Sequence, residues 1–210
     1  MNTAEARMNA QPAVAILRGV QTHEVLEVAQ VLLAEGIDII EIPLNSPKAL
    51  ASIRLLADQI CNSCVLGAGT VLGVSDVDAA AEAGAQLILS PNMDVAVIKQ
   101  TRARGLFSMP GVATASEAFA ALQAGAHALK VFPADVLGPA SIRAWNAVLP
   151  AGTALYAVGG VDTHNMQQFR LAGVRGVGLG SALYVPGMSL PELGRRARAL
   201  LDAWKNERPL

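Results

Sequence analysis

Four lysines occur in this chain, Lys48, Lys99, Lys130 and Lys205, and one stands apart from the rest. Lys130 interrupts the apolar run Ala128-Leu-Lys-Val-Phe132, just ahead of Pro133, where a charge is out of place unless it has a task. Glu41 interrupts Ile39-Ile-Glu-Ile-Pro43 in the same way, Arg18 follows the run Ala13–Leu17, and Thr70 closes Gly67-Ala-Gly-Thr70. An amine walled by apolar side chains has its ammonium form disfavoured, so a neutral nucleophile becomes available near neutral pH. Such an amine attacks a ketone to give a protonated imine, which is an electron sink. A nearby carboxylate can then move protons, directly or through water, while a carbon–carbon bond breaks. The competing reading of Lys130 and Glu41 is a buried ion pair without chemistry, against which stands the expense of burying two charges. Arg18 offers a fork suited to a carboxylate, but a strand-end arginine can equally cap carbonyls or join a surface ion pair. Thr70 is at home in a strand and draws interest only through its neighbours Gly67 and Gly69.

These residues need elements to hold them. Eight short apolar runs recur along the chain: Ala13–Leu17, Ile37–Ile42, Val65–Gly67, Gln86–Ser90, Leu106–Met109, Ala128–Phe132, Ala154–Val158 and Gly176–Leu179. Between them lie helical stretches such as Thr22–Ala34, Ser75–Ala83, Asp94–Ala103, Ser116–Ala124, Pro139–Val148 and His164–Ala172, several opened by a capping Ser, Thr or Asp. Glycines 36, 84, 105, 125 and 173 close these units, as left-handed residues that end a helix before the next strand. The runs are apolar on both faces, the mark of a parallel sheet covered by helices. Eight such units predict an α/β fold, one (β/α)8 TIM barrel spanning residues 1–210, with 1–12 a short N-terminal extension. An open doubly wound sheet is the runner-up, but Leu17-Arg-Gly-Val20 lacks the glycine fingerprint that should follow its first strand. In a barrel, Arg18, Glu41, Thr70 and Lys130 all fall at the C-terminal ends of strands, the face where active sites are built.

Two glycine pairs end the last two runs, Val158-Gly-Gly-Val161 and Gly178-Leu-Gly-Ser181. Each alone reads as a tight turn. Together, at the seventh and eighth strands, they read as backbone that cradles a phosphate. Other constellations carry less. Cys61-Asn-Ser-Cys64 has redox spacing but precedes a strand and has no second pair for zinc, so it reads as two ordinary thiols. His23, His127 and His164 are isolated and read as polar-surface or helix-cap residues; no metal and no cofactor are expected. With 52% hydrophobic residues, 16% charged and a net charge of -1, the 210-residue chain is too apolar for disorder and has no basic footprint for nucleic acid or anionic lipid. It contains no long apolar stretch to span a membrane and no leader-like segment, which makes a cytoplasmic enzyme with a small-molecule partner the expectation.

The segments Ala15-Ile-Leu-Arg-Gly19, Ile40-Glu-Ile42, Gly67-Ala-Gly-Thr70, Ser90-Pro-Asn92, Pro110-Gly-Val-Ala-Thr114, Leu129-Lys-Val-Phe-Pro133, Val158-Gly-Gly160 and Gly178-Leu-Gly-Ser181 resemble the class I aldolases that act on 2-keto-3-deoxy-6-phospho-sugar acids. The likeness runs from about Pro12 to Tyr184. It implies that Lys130 is the Schiff-base lysine and Glu41 the acid/base residue, with Arg18 and Thr70 on the pyruvate-derived carboxylate end. Gly160, Val161, Gly180 and Ser181 would hold the phosphate, and Pro91 and Phe132 would line the pocket. The gluconate branch resembles Glu-Val-Thr-Leu-Arg-Thr after the second strand and Thr-Gly-Gly after the seventh. This chain reads Glu41-Ile-Pro-Leu-Asn-Ser46 and Val158-Gly-Gly160, which resembles the galactonate branch. Val158 removes a hydroxyl near the substrate and so bears on the configuration at C4.

The resemblance implies cleavage of a phosphorylated keto-deoxy galactonate to pyruvate and glyceraldehyde 3-phosphate, by a homotrimer. The gluco epimer and 4-hydroxy-2-oxoglutarate are the alternative substrates. More distant alternatives are an imine-free phosphosugar epimerase or isomerase, and a phospho-ligand sensor.

Overall fold

The computed structural model describes residues 3–60 and 62–205. The strands within them are β1 Ala13–Ile16, β2 Ile39–Pro43, β3 Val65–Gly69, β4 Leu87–Leu89, β5 Phe107–Met109, β6 Gly111–Val112, β7 Leu129–Val131, β8 Leu155–Val158 and β9 Gly176–Leu179. All pair in parallel, in the order β5-β4-β3-β2-β1-β9-β8-β7-β6. The two ends of that order, β5 and β6, are joined by Pro110 alone, so the chain itself closes the ring. The fold is therefore the expected barrel, with one correction: a ninth, two-residue strand, β6, follows the fifth apolar run across Pro110. Pro110 has no N–H to give to a ladder, and its carbonyl accepts from the Lys130 backbone N–H at 2.9 Å instead.

Helices α2 Val25–Ala34, α3 Ala49–Ile60, α4 Val74–Glu82, α5 Val95–Ala103, α6 Ala115–Gln123, α7 Ala134–Asn146, α8 Met166–Leu171 and α9 Leu190–Lys205 sheathe the barrel. The glycine stops at 36, 84, 105, 125 and 173 all have positive φ, as expected of C-terminal helix stops. Side-chain caps are rarer than the sequence suggested. Asp94 caps α5, and Thr114, two residues ahead of the expected start at Ser116, forms a capping box with Glu117 on α6. Thr22 lies outside α2, and its hydroxyl pairs with Ser52. α7 is two helices run together across a kink at Gly138, whose φ of 71° is not helical, and Pro139 opens the second of them, as expected. Among the described residues, no helix is long and apolar enough to cross a membrane.

Alternation along each strand divides the core in two. Outward residues such as Ile40, Leu66, Ile88, Leu129, Ala157 and Val177 pack under the helices. Inward residues Val14, Ile39, Val65, Leu87, Leu89, Phe107, Met109, Ala128 and Tyr156 fill the barrel's lower half. Helix α1 Thr3–Ala10, within the stretch read as a short extension, seats Ala4 and Met8 against this inner cluster. A helical partner for the Met8 carbonyl would be residue 12, which is a proline without N–H. The Tyr156 hydroxyl donates to that carbonyl at 2.5 Å and fastens the plug.

Candidate active site

The inward alternation that gives Ile39 and Ala128 to the core gives the next inward positions, Glu41 and Lys130, to the upper half of the barrel. Both are deeply buried, at 1% and 5% exposure, while Lys48, Lys99 and Lys205 are exposed as expected. Above them opens a cavity of about 470 Å³. It is lined by Arg18, Glu41, Thr70, Pro91, Lys130, Phe132, Val158, Gly160, Val161, Gly180 and Ser181, which brings every residue singled out from the sequence to one place. Ile16, Gly159, Asp162, Gly178 and Ala182 also line it. Of these, Ile16 and Gly178 could have been found from the period of two in their strands. Asp162 carried no signal, because an aspartate after a glycine pair reads as an ordinary turn.

Burial pushes the Glu41 carboxyl above its ordinary value, and the charges of Lys130 and Arg18 oppose this only in part. Burial likewise pushes the Lys130 amine below its ordinary value; Glu41 opposes this and Arg18 adds to it. Burial thus biases both groups in the direction of their neutral forms, an amine and a carboxyl facing the same cavity. Glu41 Oε2 is buried with no hydrogen-bond partner among the described residues, so Lys130 does not reach it. A buried oxygen left without a partner costs on the order of 1–3 kcal/mol, which marks it as held for another purpose. Space for the carboxylate comes from Gly69: a Cβ there would lie 1.6 Å from Glu41 Oε1. Lys130 Nζ lies 4.8 Å from the centroid of the Phe132 ring, which also lines the cavity.

Thr70 takes φ of 56°, a left-handed conformation that costs a β-branched residue on the order of 1–3 kcal/mol and is found where function over-determines the backbone. The Arg18 guanidinium is exposed and donates to Asn45 Oδ1 at 2.7 Å. After β8, Gly160 has φ of +65°, and a side chain on it would strike Asp135 at 2.5 Å. Its carbonyl is tied down by Asn165 Nδ2 at 2.6 Å, while Asp162 Oδ1 accepts from the backbone of His164 and Asn165 at 2.8 and 3.1 Å. Asp162 thus braces the loop that carries the first glycine pair.

The weaker constellations resolve differently. Cys61 lies outside the described residues, and Cys64 is buried, with its thiol toward the Ile60 carbonyl. His23 and His164 are exposed. His127 departs from the surface or cap role: it is partly buried, stacks on Phe107 at 4.6 Å between centroids, and accepts from the Ser108 N–H at 2.9 Å. Among the described residues, no group of three or more His, Cys, Asp or Glu is placed to hold a metal ion.

A family model described as "Aldolase: KDPG and KHG aldolase" matches residues 4–190. A protein of Rhizobium meliloti (strain 1021) described as "Probable 2-dehydro-3-deoxy-6-phosphogalactonate aldolase" is 45% identical over 194 residues, 92% of each chain. The "2-dehydro-3-deoxy-6-phosphogalactonate aldolase" of Escherichia coli (strain K12) is also 45% identical, over 92% of this chain and 95% of its own. A solved structure described as "Native KDPGal structure" superposes with a TM-score of 0.91 at 45% identity, over 93% of this chain and 95% of the other.

Proposed function

This chain belongs to the KDPG and KHG aldolase family, and from that premise we propose that it cleaves 2-dehydro-3-deoxy-6-phosphogalactonate to pyruvate and D-glyceraldehyde 3-phosphate. It is a class I aldolase, a carbon–carbon lyase. The observation that carries the mechanism is the pairing, at one cavity, of a buried amine and a buried carboxyl that burial drives toward their neutral forms.

In the proposed reaction, the neutral Lys130 amine attacks the C2 ketone to form a carbinolamine. Glu41 supplies the proton on which the C2 oxygen leaves as water, which turns the acid into a carboxylate beside a protonated imine. That carboxylate, directly or through water, takes the C4 hydroxyl proton. The C3–C4 bond breaks, its electron pair moves into the imine as an enamine, and glyceraldehyde 3-phosphate departs. Glu41 returns the proton to C3, and hydrolysis frees pyruvate and regenerates both neutral groups.

Arg18 and Thr70 take the carboxylate end, and Gly160, Val161, Gly180 and Ser181 take the phosphate. Pro91, Phe132 and Val158 shape the middle, where Val158 presents methyl groups in place of a hydroxyl toward C4 and so favours the galacto configuration. The enzyme acts in the cytoplasm as a homotrimer, a state that sedimentation equilibrium would test. Two further experiments test the activity. Borohydride added with pyruvate should leave a covalent adduct on Lys130, and an unchanged protein mass would sink the imine. Coupled detection of pyruvate from the two C4 epimers should favour the galacto substrate, and equal rates would remove the support for that choice.

A further inference from the structure

Among the described residues, Asn45 is the one hydrogen-bond partner of the Arg18 side chain: Nη1 donates to Asn45 Oδ1 at 2.7 Å. The backbone around Arg18 is held by other means. Ser46 Oγ accepts from the Gly19 N–H at 2.9 Å, so two consecutive residues of the loop between β2 and α3 grip two consecutive residues after β1. On the far side the Pro186 ring lies against Gly19, where a Cβ would meet it at 2.9 Å, and the Tyr184 hydroxyl donates to Glu24 Oε1 at 2.9 Å. What remains loose is the exposed guanidinium on its flexible stem, and that end is the part that faces the cavity.

We infer that Asn45 is a positioning residue that aims the Arg18 guanidinium at the carboxylate of the keto acid, an inference that rests on the proposed role of Arg18. The chemistry suits the task. A guanidinium has five N–H donors, so one given to Asn45 leaves a fork for a carboxylate. The amide oxygen is neutral and leaves the cation's charge intact, whereas an aspartate there would compete with the ligand. Because both side chains are exposed, their mutual hydrogen bond contributes little to folding, and loss of Asn45 should register in binding alone.

The test is borohydride trapping of pyruvate on Lys130 as a function of pyruvate concentration. In Asn45→Ala the half-saturating concentration should rise about tenfold, the size of one hydrogen bond to a charged group, with the trapped fraction at saturation and the melting temperature unchanged. Trapping of hydroxyacetone, a ketone without a carboxylate, should be unaffected. In an Arg18→Ala background the Asn45 substitution should add nothing.

An unchanged half-saturation in Asn45→Ala, an equal loss with hydroxyacetone, or a further loss on top of Arg18→Ala would each overturn the inference while the aldolase reading stands. A lowered melting temperature with unchanged half-saturation would make Asn45 a structural residue and overturn it as well. Wild-type protein that traps no pyruvate would strike the imine mechanism itself, and the role of Asn45 would fall with it.

Discussion

Lys130 and Tyr156 are register partners on β7 and β8, both directed into the barrel, yet they serve opposite ends of it. Tyr156 belongs to the closed end. Its pKa is pushed up to about 12 by burial, and its hydroxyl has the Met8 carbonyl for a partner. Lys130 belongs to the open end, where burial drives the amine toward neutrality and Glu41 Oε2 is left without a partner. The Tyr156 hydroxyl at the closed end is satisfied; at the cavity, Glu41 Oε2 is not. Buried polarity in this barrel therefore separates into two kinds, and the state of the hydrogen bond tells them apart. The lower half of the interior stabilises the protein, and in the upper half the buried Glu41 carboxyl costs stability.

Substitutions at the two ends should divide accordingly. Lys130→Met and Lys130→Arg should both reduce pyruvate release by on the order of 10⁴-fold or more, since neither offers a neutral amine, while the Met variant melts no lower than the wild type. Substantial activity in Lys130→Met would break the comparison and favour an imine-free reaction. Next in size, Gly69→Ala should push the Glu41 carboxyl out of place and lower kcat by roughly 10²-fold, the scale of an ångström's misplacement of a catalytic group. A Gly69→Ala enzyme with normal kcat would show that the position of Glu41 is not critical.

At the closed end the signs reverse. Tyr156→Phe should cost about 1–3 kcal/mol of unfolding free energy, because the Met8 carbonyl loses its partner. Met8→Ala should cost about 2–5 kcal/mol through the cavity it leaves. Both variants, measured where they remain folded, should keep wild-type kcat. A large loss of kcat in either would mean that the two ends are mechanically coupled.

The smallest effect is in pH. The folded Lys130 pKa lies below the ordinary value of 10.5, so between the two the unfolded chain holds a proton that the folded chain has released. Stability against urea should rise with pH through that window, and the rise should vanish in Lys130→Met. Borohydride trapping should reach its high-pH plateau before 10.5 in the wild type. It should reach it earlier still in Glu41→Gln, which removes the carboxylate that favours the ammonium.

The parts of the molecule that could be read from sequence are those in which one residue type breaks an otherwise uniform pattern. Lys130 and Glu41 were conspicuous because apolar strands surround them, and the glycine stops because their spacing is so even. Helix α1 gave no such sign: its contribution to the core is one alanine and one methionine, Ala4 and Met8, and no stripe repeats over so short a segment. Gly69 stood out as a neighbour of Thr70, but its clearance for Glu41 depends on register between β2 and β3, where Pro43 lies opposite Gly69, and sequence spacing does not set register. Asn45 was marked only as a missing arginine; its bond to Arg18 joins two loops that the sequence keeps 27 residues apart.

The bond from Tyr156 to Met8 joins positions separated by 148 residues. Pairing of β1 with β9 places Ala13 beside Val177, a similar span. Contacts of such sequence separation are among the slowest to form, and a chain emerging from the ribosome offers Met8 and Ala13 long before Tyr156 and Val177 exist. Helix α1 and β1 thus wait for partners made much later. Until β8 and β9 have been synthesised, the underside of the barrel is open and the apolar faces of β1 to β4 have no lid. During translation the inner apolar cluster of this barrel therefore stays incomplete until Tyr156 on β8 has been made.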